Sequence, residues 1–364
     1  MNATVSVVMA TYNHARFVAQ TIESVLSQRG VDVEFLIGDD GSTDGTREVV
    51  TAFNDPRIAF FPNAVNRGAA LAINELIARA RGEFVAIINS DDYWIDDEKL
   101  VREAAILRED PRLAACFSRP VFVDKDGRTI EGAALSFGSV FHQGNRSQGR
   151  WLRHFFDTGN CLCHPTVLIR RSCYDDVGRY DTRLAQLPDL DMWIRLVKRY
   201  PIRVEERATI AFRIRPGESA SSQTAANSIR TINEHFLIAS RFFEGVERDV
   251  FLDGFGDVLV HPELPRAEHI AIEQALQYFR FNDQGLMNAY RLIGISEMQR
   301  LLGSASHRAV LAADYAIDDR WFHTRLGEID VLRPWLMAAA GDLFRRGWNT
   351  WLPKLDRAMR GRGK

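Results

Sequence analysis

The sequence predicts an open α/β domain followed by a helical region, and three observations support this. Between residues 5 and 88, short apolar, β-branched runs alternate with segments whose apolar residues recur at helical spacing. Those runs are apolar almost throughout, as in strands buried on both faces of a parallel sheet covered by helices. Beyond about Ser222 only the helical period persists. With 364 residues, 46% of them hydrophobic, the chain can form about two domains. The pattern divides it into 1–221, made of halves 1–112 and 113–221, and 222–364.

Val5 to Met9 is the first strand; after Ala10 to Asn13, the residues Phe17, Val18, Ile22, Val25 and Leu26 mark a helix. The unit recurs as a strand at Val33 to Ile37, a loop from Asp39 to Gly45 and a helix from Thr46. It recurs again as a strand at Ile58 to Phe61, a loop at Asn63 to Arg67 and a helix over Ala69 to Arg79, and Glu83 to Ile88 makes a fourth strand. From Leu113 the pattern changes. Cys116 to Val123, the turn Asp124 to Gly127 and Thr129-Ile130 read as a hairpin, and Gly138 to Arg150 as a mobile loop. Thr166 to Ile169 is a strand, Asp189 to Tyr200 a helix and Thr209 to Ile214 a last strand, while His261 to Pro265 interrupts the helical remainder.

Composition removes several function classes. Lys and Arg number 46 against 48 Asp and Glu, for a net charge of -2, so the basic footprint of a nucleic-acid-binding chain is absent. Four cysteines (Cys116, Cys161, Cys163, Cys173) are too few for a disulfide scaffold, and Cys161-Leu162-Cys163-His164 lacks the second knuckle of a zinc site. Buried, reduced thiols are expected, in a cytosolic context, because no basic start and apolar h-region precede the first strand. The longest apolar runs, such as Phe84 to Ile88, fall short of the ~18 to 20 residues a spanning helix needs.

In an open α/β sheet, ligands bind outside the carboxyl ends of the strands, and here those ends carry Thr11-Tyr12-Asn13, Asp39-Asp40 and Ser90-Asp91-Asp92. The loop Gly38 to Thr46 is not a dinucleotide fingerprint: its carboxylates would repel phosphate but accept well from a base N–H or ribose hydroxyls. Asp44 reads as a cap for the helix from Thr46, and Asp96-Asp97 as an ordinary helix start. Asp91 and Asp92 can offer oxygen ligands to a hard divalent cation while phosphate and water fill the remaining positions.

Together, and in this order, Ser6 to Asn13 (SVVMATYN), Asp39 to Thr46 (DDGSTDGT), Asn66-Arg67-Gly68 with Asn74, Gly82-Glu83-Phe84 and Ser90 to Trp94 (SDDYW) resemble the nucleotide-sugar half of family 2 glycosyltransferases. The resemblance continues through His164-Pro165-Thr166 to Arg170-Arg171, Val177 to Asp181, and Pro188 to Arg195, and so covers roughly the first 220 residues. It implies a GT-A fold and inverting transfer of a sugar from a nucleoside diphosphate, most often UDP, with Mn²⁺ or Mg²⁺ as cofactor. It also implies that Asp39 or Asp40 holds base and ribose, with Thr11, Tyr12 and Asn13 beside the nucleobase and Asn66, Arg67, Gly68 and Asn74 completing the donor side. Asp92 would bind the metal, and Asp91 would contact the ribose or share the metal.

For the catalytic base the resemblance points to Asp189, with Asp191 as rival; in a helix from Pro188 the two lie about 200° apart and cannot share one cleft. This chain departs from the family pattern at three places: Pro188 stands where a Glu is usual, Asn89 where an Asp is frequent, and Arg215 where a His often sits. An arginine cannot ligate a metal but can bind diphosphate directly; Arg213 joins it there or is simply an exposed edge residue. His154 and His164 either line the acceptor cleft or, as a lone His more often does, serve the structure, and neither is assigned to the site.

Residues from Ser222 onward suit acceptor binding or self-association as a homo-oligomer. In the tail, Trp335, Phe344, Trp348 and Trp351 interleave with Arg345, Arg346, Lys354 and Arg357. That pattern fits an interfacial helix on an anionic inner membrane face and, equally, a terminal helix docked by its tryptophans. The expected activity is transfer to a glycan or lipid-linked acceptor in surface polysaccharide assembly. The alternative, motivated by Asn89, Pro188 and Arg215, is a non-catalytic nucleotide-sugar-binding scaffold.

Overall fold

The apolar runs near the N-terminus form the centre of one sheet. In the computed structural model, which describes residues 4–135, 137–215, 217, 224–282 and 286–329, the chain divides into two units, Met1–Glu263 and Leu264–Lys364. The first begins with β1 (Val5–Thr11), α1 (Val18–Leu26), β2 (Val33–Asp39), α2 (Thr46–Thr51), β3 (Ile58–Pro62), α3 (Ala69–Ile77) and β4 (Phe84–Ile87). It continues with β5 (Tyr93–Trp94), α4 (Lys99–Glu109), β6 (Ala115–Val123), β7 (Thr129–Ile130), α5 (Gln148–Thr158), β8 (Leu168–Arg170) and α6 (Cys173–Val177). It closes with α7 (Pro188–Arg199), β9 (Ile202–Arg213), α8 (Ala225–Ala239) and α9 (Arg248–Phe255).

The strand order is β3-β2-β1-β4-β8-β6-β9-β5, with β7 beside β6. Pairing is parallel from β3 to β4 and becomes mixed beyond it, where β8 runs antiparallel to both β4 and β6. Complete burial of β2 and β4 follows from their central positions, while the edge strand β3 is only partly covered. Register sets Thr11 opposite Asp39, so the polar residues that end these strands come level at one edge. Val18, Ile22 and Val25 of α1 and Leu100, Ala104 and Leu107 of α4 close over Val7, Met9, Phe35 and Phe84 to make the core. Glu34 is buried within β2 because Ser6 Oγ (2.5 Å) and Arg81 N (2.6 Å) donate to it.

Several elements differ from the sequence reading. β9 starts at Ile202, seven residues early: Glu205, Glu206 and Arg207 interrupt its apolar pattern, and its register against β6 shifts between Phe117 and Pro120. Part of the stretch read as a mobile loop is the start of α5, which buries Trp151, Leu152, Phe155 and Phe156. The boundary expected at residue 222 falls inside the first unit, because α8 and α9 are held there. Asp253 of α9 accepts from Gly149 N at 2.6 Å, and the backbones meet so closely at Gly149 and Gly254 that neither has room for a Cβ.

The second unit contains α10 (Ala267–Arg280), α11 (Met287–Leu302), α12 (Ala305–Asp314) and α13 (Asp319–Gly327), packed around Ile272, Met298, Leu301, Val310, Leu311 and Ile317. The basic aromatic tail from Trp335 lies outside the described residues. Among those that are described, no helix is long and apolar enough to cross a membrane.

The β2–α2 loop and the 63–68 segment touch at Gly41, whose φ is +84°; a Cβ there would lie 2.6 Å from Asn66 N and from Val65 C. Substitution Gly41→Ala therefore combines backbone strain with overlap. It should destabilise the protein by about 1–3 kcal/mol in urea unfolding.

Candidate active site

Four carboxylates reach the cleft at the carboxyl edge of the sheet: Asp40, Asp91, Asp92 and Asp189. The cleft has a volume of about 520 Å³, and its wall also includes Thr11, Tyr12, His14, Asn66, His164, Gln186, Arg213 and Arg215. Buried charges of one sign need compensation, and each carboxylate obtains it from a different element.

Asp40 ends β2 and accepts from Arg67 N (3.0 Å) and Gly68 N (2.8 Å) at the start of α3. The neighbouring Asp39 turns the other way: it accepts from Ser42 N and from Arg47 Nε at 2.6 Å, and it does not line the cleft. Thus of this pair only Asp40 faces the cleft. Thr11 Oγ1 is buried without a hydrogen-bond partner among the described residues, and Tyr12 beside it is 45% exposed, an aromatic face open to the cleft mouth. Asn13, at φ 54°, ties two loops together through Ser42 Oγ and Thr43 N. Asp44 accepts from Thr46 N and from Ala15 N, but the N-cap of α2 is Gly45, without a side-chain cap, so Asp44 ties the loop one residue ahead of the position the sequence assigned it.

On the donor side Asn66 lines the cleft, whereas Arg67 pairs with Glu75 at 2.6 Å and Asn74 exchanges hydrogen bonds with the Tyr180 backbone. These two side chains and Gly68 are therefore not brought to the cleft; Arg67 and Gly68 act through their N–H groups on Asp40.

Asp92 is fully enclosed. Its carboxylate accepts from Arg213 N at 2.7 Å and Asn89 Nδ2 at 2.9 Å, and Thr21 Oγ1 holds the turn by donating to the carbonyls of Ser90 and Asp92. Burial, with the Asp91 charge added, pushes the Asp92 carboxyl well above the ordinary carboxylate range. Asp91 Oδ2 accepts from Arg215 Nη2 at 2.6 Å and Nε at 2.9 Å. Arg215 Nη2 also meets His14 Nε2 at 2.9 Å, and His14 Nδ1 lies 2.7 Å from Ser90 Oγ. Burial lowers the His14 pKa. A neutral ring with its proton on Nδ1 then donates to Ser90 and accepts from Arg215.

Both arginines stack on Phe17, Arg213 at 4.8 Å and Arg215 at 5.2 Å from the ring centroid. Arg213 is buried rather than an exposed edge residue. Its Nε and Nη atoms are taken by the carbonyls of Asp91, Asp124 and Lys125 and by Gln20 Oε1.

The two candidate bases separate as helix geometry requires. Asp189, in the first turn of α7 after Pro188, faces the cleft, where Asn160 Nδ2 donates to its Oδ2 at 2.5 Å and Leu190 N to its Oδ1 at 2.9 Å. Asp191 is clamped by Arg195 at 2.8 Å and lines a second cavity of about 510 Å³. Burial raises Asp189 to about 6, against the opposing pull of those two donors. Across the cleft, burial alone lowers His164 to about 4, so it is neutral beside the Tyr180 hydroxyl at 3.1 Å. His154 faces a different pocket. Among the described residues no three His, Cys, Asp or Glu side chains form a metal shell. Of the two adjacent acids in the cleft, Asp91 is already paired with Arg215 and Asp92 is desolvated, so a cation held here would have to draw its remaining ligands from substrate and water. The four cysteines are all buried and free.

His14 and Gln186 are cleft residues that the sequence did not single out. For His14 the available signal was its place one residue after the strand-end cluster; Gln186 had none.

The mixed sheet with flanking helices and an acidic cleft at the carboxyl edge of its parallel strands has the GT-A architecture of glycosyltransferases. Residues 6–177 match the family model described as glycosyl transferase family 2, so this segment of the chain is a domain of that family. It is 29% identical over 196 residues to the putative glycosyltransferase EpsE of Bacillus subtilis, covering 52% of this chain and 66% of that one. It is 29% identical over 205 residues to a poly-beta-1,6-N-acetyl-D-glucosamine synthase of Staphylococcus epidermidis, covering 56% and 48%. It is 40% identical over 91 residues to the Escherichia coli UDP-Glc:alpha-D-GlcNAc-diphosphoundecaprenol beta-1,3-glucosyltransferase WfaP, covering 25% and 36%. The chain thus spans from about a third to two-thirds of the length of these relatives. In fold it is similar to S. aureus TarS residues 1–349, with a TM-score of 0.54 at 17% identity over 89% of this chain and 91% of that one.

Because the Asn160 amide favours the charged form of Asp189, Asn160→Ala should move the Asp189 carboxyl above its native value of about 6. Carboxyl-carbon NMR titration of the variant would detect this; an unmoved midpoint contradicts the assigned contact.

Proposed function

We propose that this chain is an inverting glycosyltransferase. It moves a sugar from a nucleoside diphosphate, UDP in the first instance, to a hydroxyl of a glycan or lipid-linked acceptor in surface polysaccharide assembly. The observation that carries the reading is Asp189: a carboxylate held at about 6, in the same cleft as Arg215 and the Asp91-Asp92 pair. A general base works best with a pKa near the operating pH, and inverting transfer needs only one.

In this mechanism the acceptor hydroxyl gives its proton to Asp189 as its oxygen bonds to the anomeric carbon. The bond from that carbon to the diphosphate oxygen breaks on the opposite face, and the electron pair leaves with the nucleotide. Arg215, anchored by Asp91 and His14, presents a guanidinium to the diphosphate, and its planar donors suit phosphate oxygens. Thr11 Oγ1, Tyr12, Asp40 and Asn66 receive the nucleoside; a buried hydroxyl without a protein partner is the kind of group a ligand satisfies. Asp91 and Asp92 would hold Mn²⁺ or Mg²⁺, which when bound offsets the charge on the departing diphosphate.

The choice of UDP is supported by WfaP, named for UDP-Glc, and by TarS, one structure of which is a complex with UDP-GlcNAc. An acceptor in surface polysaccharide is supported by the N-acetylglucosamine polymer synthase and by the diphosphoundecaprenol acceptor in the WfaP name.

Calorimetric titration with UDP, GDP, CDP and dTDP, each with and without Mn²⁺, should give selective UDP binding that Mn²⁺ strengthens. Loss of a charge-assisted contact worth about 1.5–3 kcal/mol in Arg215→Ala should weaken UDP roughly tenfold or more. Binding of no diphosphate by the wild type would overturn the donor-site assignment.

With UDP-glucose or UDP-N-acetylglucosamine as donor, Asp189→Asn should lower kcat by roughly 10²–10⁴ with little change in UDP affinity. Since the base is active when deprotonated, wild-type kcat should rise with pH through about 6 and level above it. UDP binding without turnover of any donor would favour the non-catalytic nucleotide-sugar-binding reading.

A further inference from the structure

The segment that delivers Asp189 to the cleft is held by a residue far from any sequence motif. Glu234 lies in α8 and is 4% exposed. Its Oε1 accepts from Ala185 N, and its Oε2 from both Gln186 N and Leu187 N, each at 2.8 Å. Three consecutive N–H groups converge on one carboxylate. They belong to the turn that enters α7, whose first residue is Pro188 and whose flanking Leu187 supplies no side-chain cap. Ala185, Gln186, Pro188 and Asp189 all line the cleft. A negative charge at this end of a twelve-residue helix is also favoured by the helix dipole.

We propose that Glu234 is a positioning residue for Asp189, binding the 185–187 backbone as a three-point clamp that fixes where α7 begins and hence where the base points. This rests on the reading of Asp189 as catalytic base. Successive N–H groups turned to one side form an anion-binding nest, and hydrogen bonds to a charged acceptor are roughly twice as strong as neutral ones. A clamp of this kind restricts the base carboxylate to one position, and misplacement by an ångström is costly in rate.

The clamp also acts on the base electrostatically. Around Asp189 stand Asn160, which donates to it, Cys163 and Tyr180, which its charge reaches, and Glu234 from α8, while His164 and Asp92 line the same cleft. Of these, the Glu234 charge pushes the Asp189 carboxyl upward, in the same direction as burial. Removing the charge should move the acid limb of the rate profile to lower pH.

The test uses the full chain. In the wild type, amide exchange at Ala185, Gln186 and Leu187 should be slow as a group, and Glu234→Gln should accelerate it. In the same variant, UDP release from donor should have a plateau kcat lowered roughly tenfold or more, an acid limb displaced to lower pH, and UDP affinity close to wild type. Glu234→Asp keeps the charge on a shorter arm and should restore the limb but only part of the plateau. Fast exchange at the three amides in the wild type overturns the clamp, and this arm does not depend on the variants folding. A Glu234→Gln protein with wild-type plateau and limb overturns the positioning role, as does one whose plateau falls while its limb stays in place. A wild type that binds no UDP counts against the transferase reading alone, and exchange still decides whether Glu234 holds the turn.

Discussion

The architecture of this site depends on keeping several carboxylates together at one sheet edge, where burial disfavours their charge. The chain meets this constraint by drawing a donor from a distant element to each acid. Asp40 takes the N–H groups that open α3, Asp39 takes Arg47, and Asp92 takes the N–H of Arg213 at the end of β9. Asp91 takes the Arg215 guanidinium. These contacts span 8 to 124 residues of sequence, so the acids also join the two halves of the sheet. Their compensation is simultaneously what positions the cleft wall.

A second buried charge pair supports the opposite wall. Lys99 and Glu103 are fully buried one turn apart on α4, 2.5 Å from each other, and Lys99 Nζ also donates to Thr166 O at 2.9 Å. That bond anchors the segment carrying Cys163 and His164 against α4. Desolvation lifts Glu103 to about 7 despite its lysine, so the pair is a constraint on geometry more than a source of stability.

Sequence patterning revealed the fold where local physics and burial agree. The first four strands announce themselves because central parallel strands are apolar on both faces. The N-terminal half of β9 does not, because Glu205, Glu206 and Arg207 interrupt it with charges paired across elements, to Arg102, Arg119 and Asp96 respectively. α5 is masked in a similar way: its buried Trp151, Leu152, Phe155 and Phe156 follow a polar, glycine-containing run that reads as a loop. The site divides along the same line. Strand-end acids stand out in the sequence, yet which of an adjacent pair faces the cleft depends on register and on a donor located elsewhere. Arg47 turns Asp39 away, and Arg195 turns Asp191 away. No local pattern encodes the first choice, whereas the second follows from the i,i+4 spacing of Asp191 and Arg195 on α7.

The family match ends at residue 177, before Asp189, Arg213, Arg215 and Glu234. This follows from how the two sides of the cleft are built. On one side, Thr11, Asp40, Asp91 and Asp92 sit directly on strand ends and tight turns, so their spacing in sequence is fixed by the fold itself. On the far side, Asp189 stands on a helix whose entry turn is held by a carboxylate of α8, 45 residues beyond it. Such a contact constrains geometry without constraining spacing. The segment 225–239, which helical periodicity assigns to a separate region, is thereby part of the unit that carries the cleft, and the wall bearing Asp189 is held in place by α8 packed against the turn into α7.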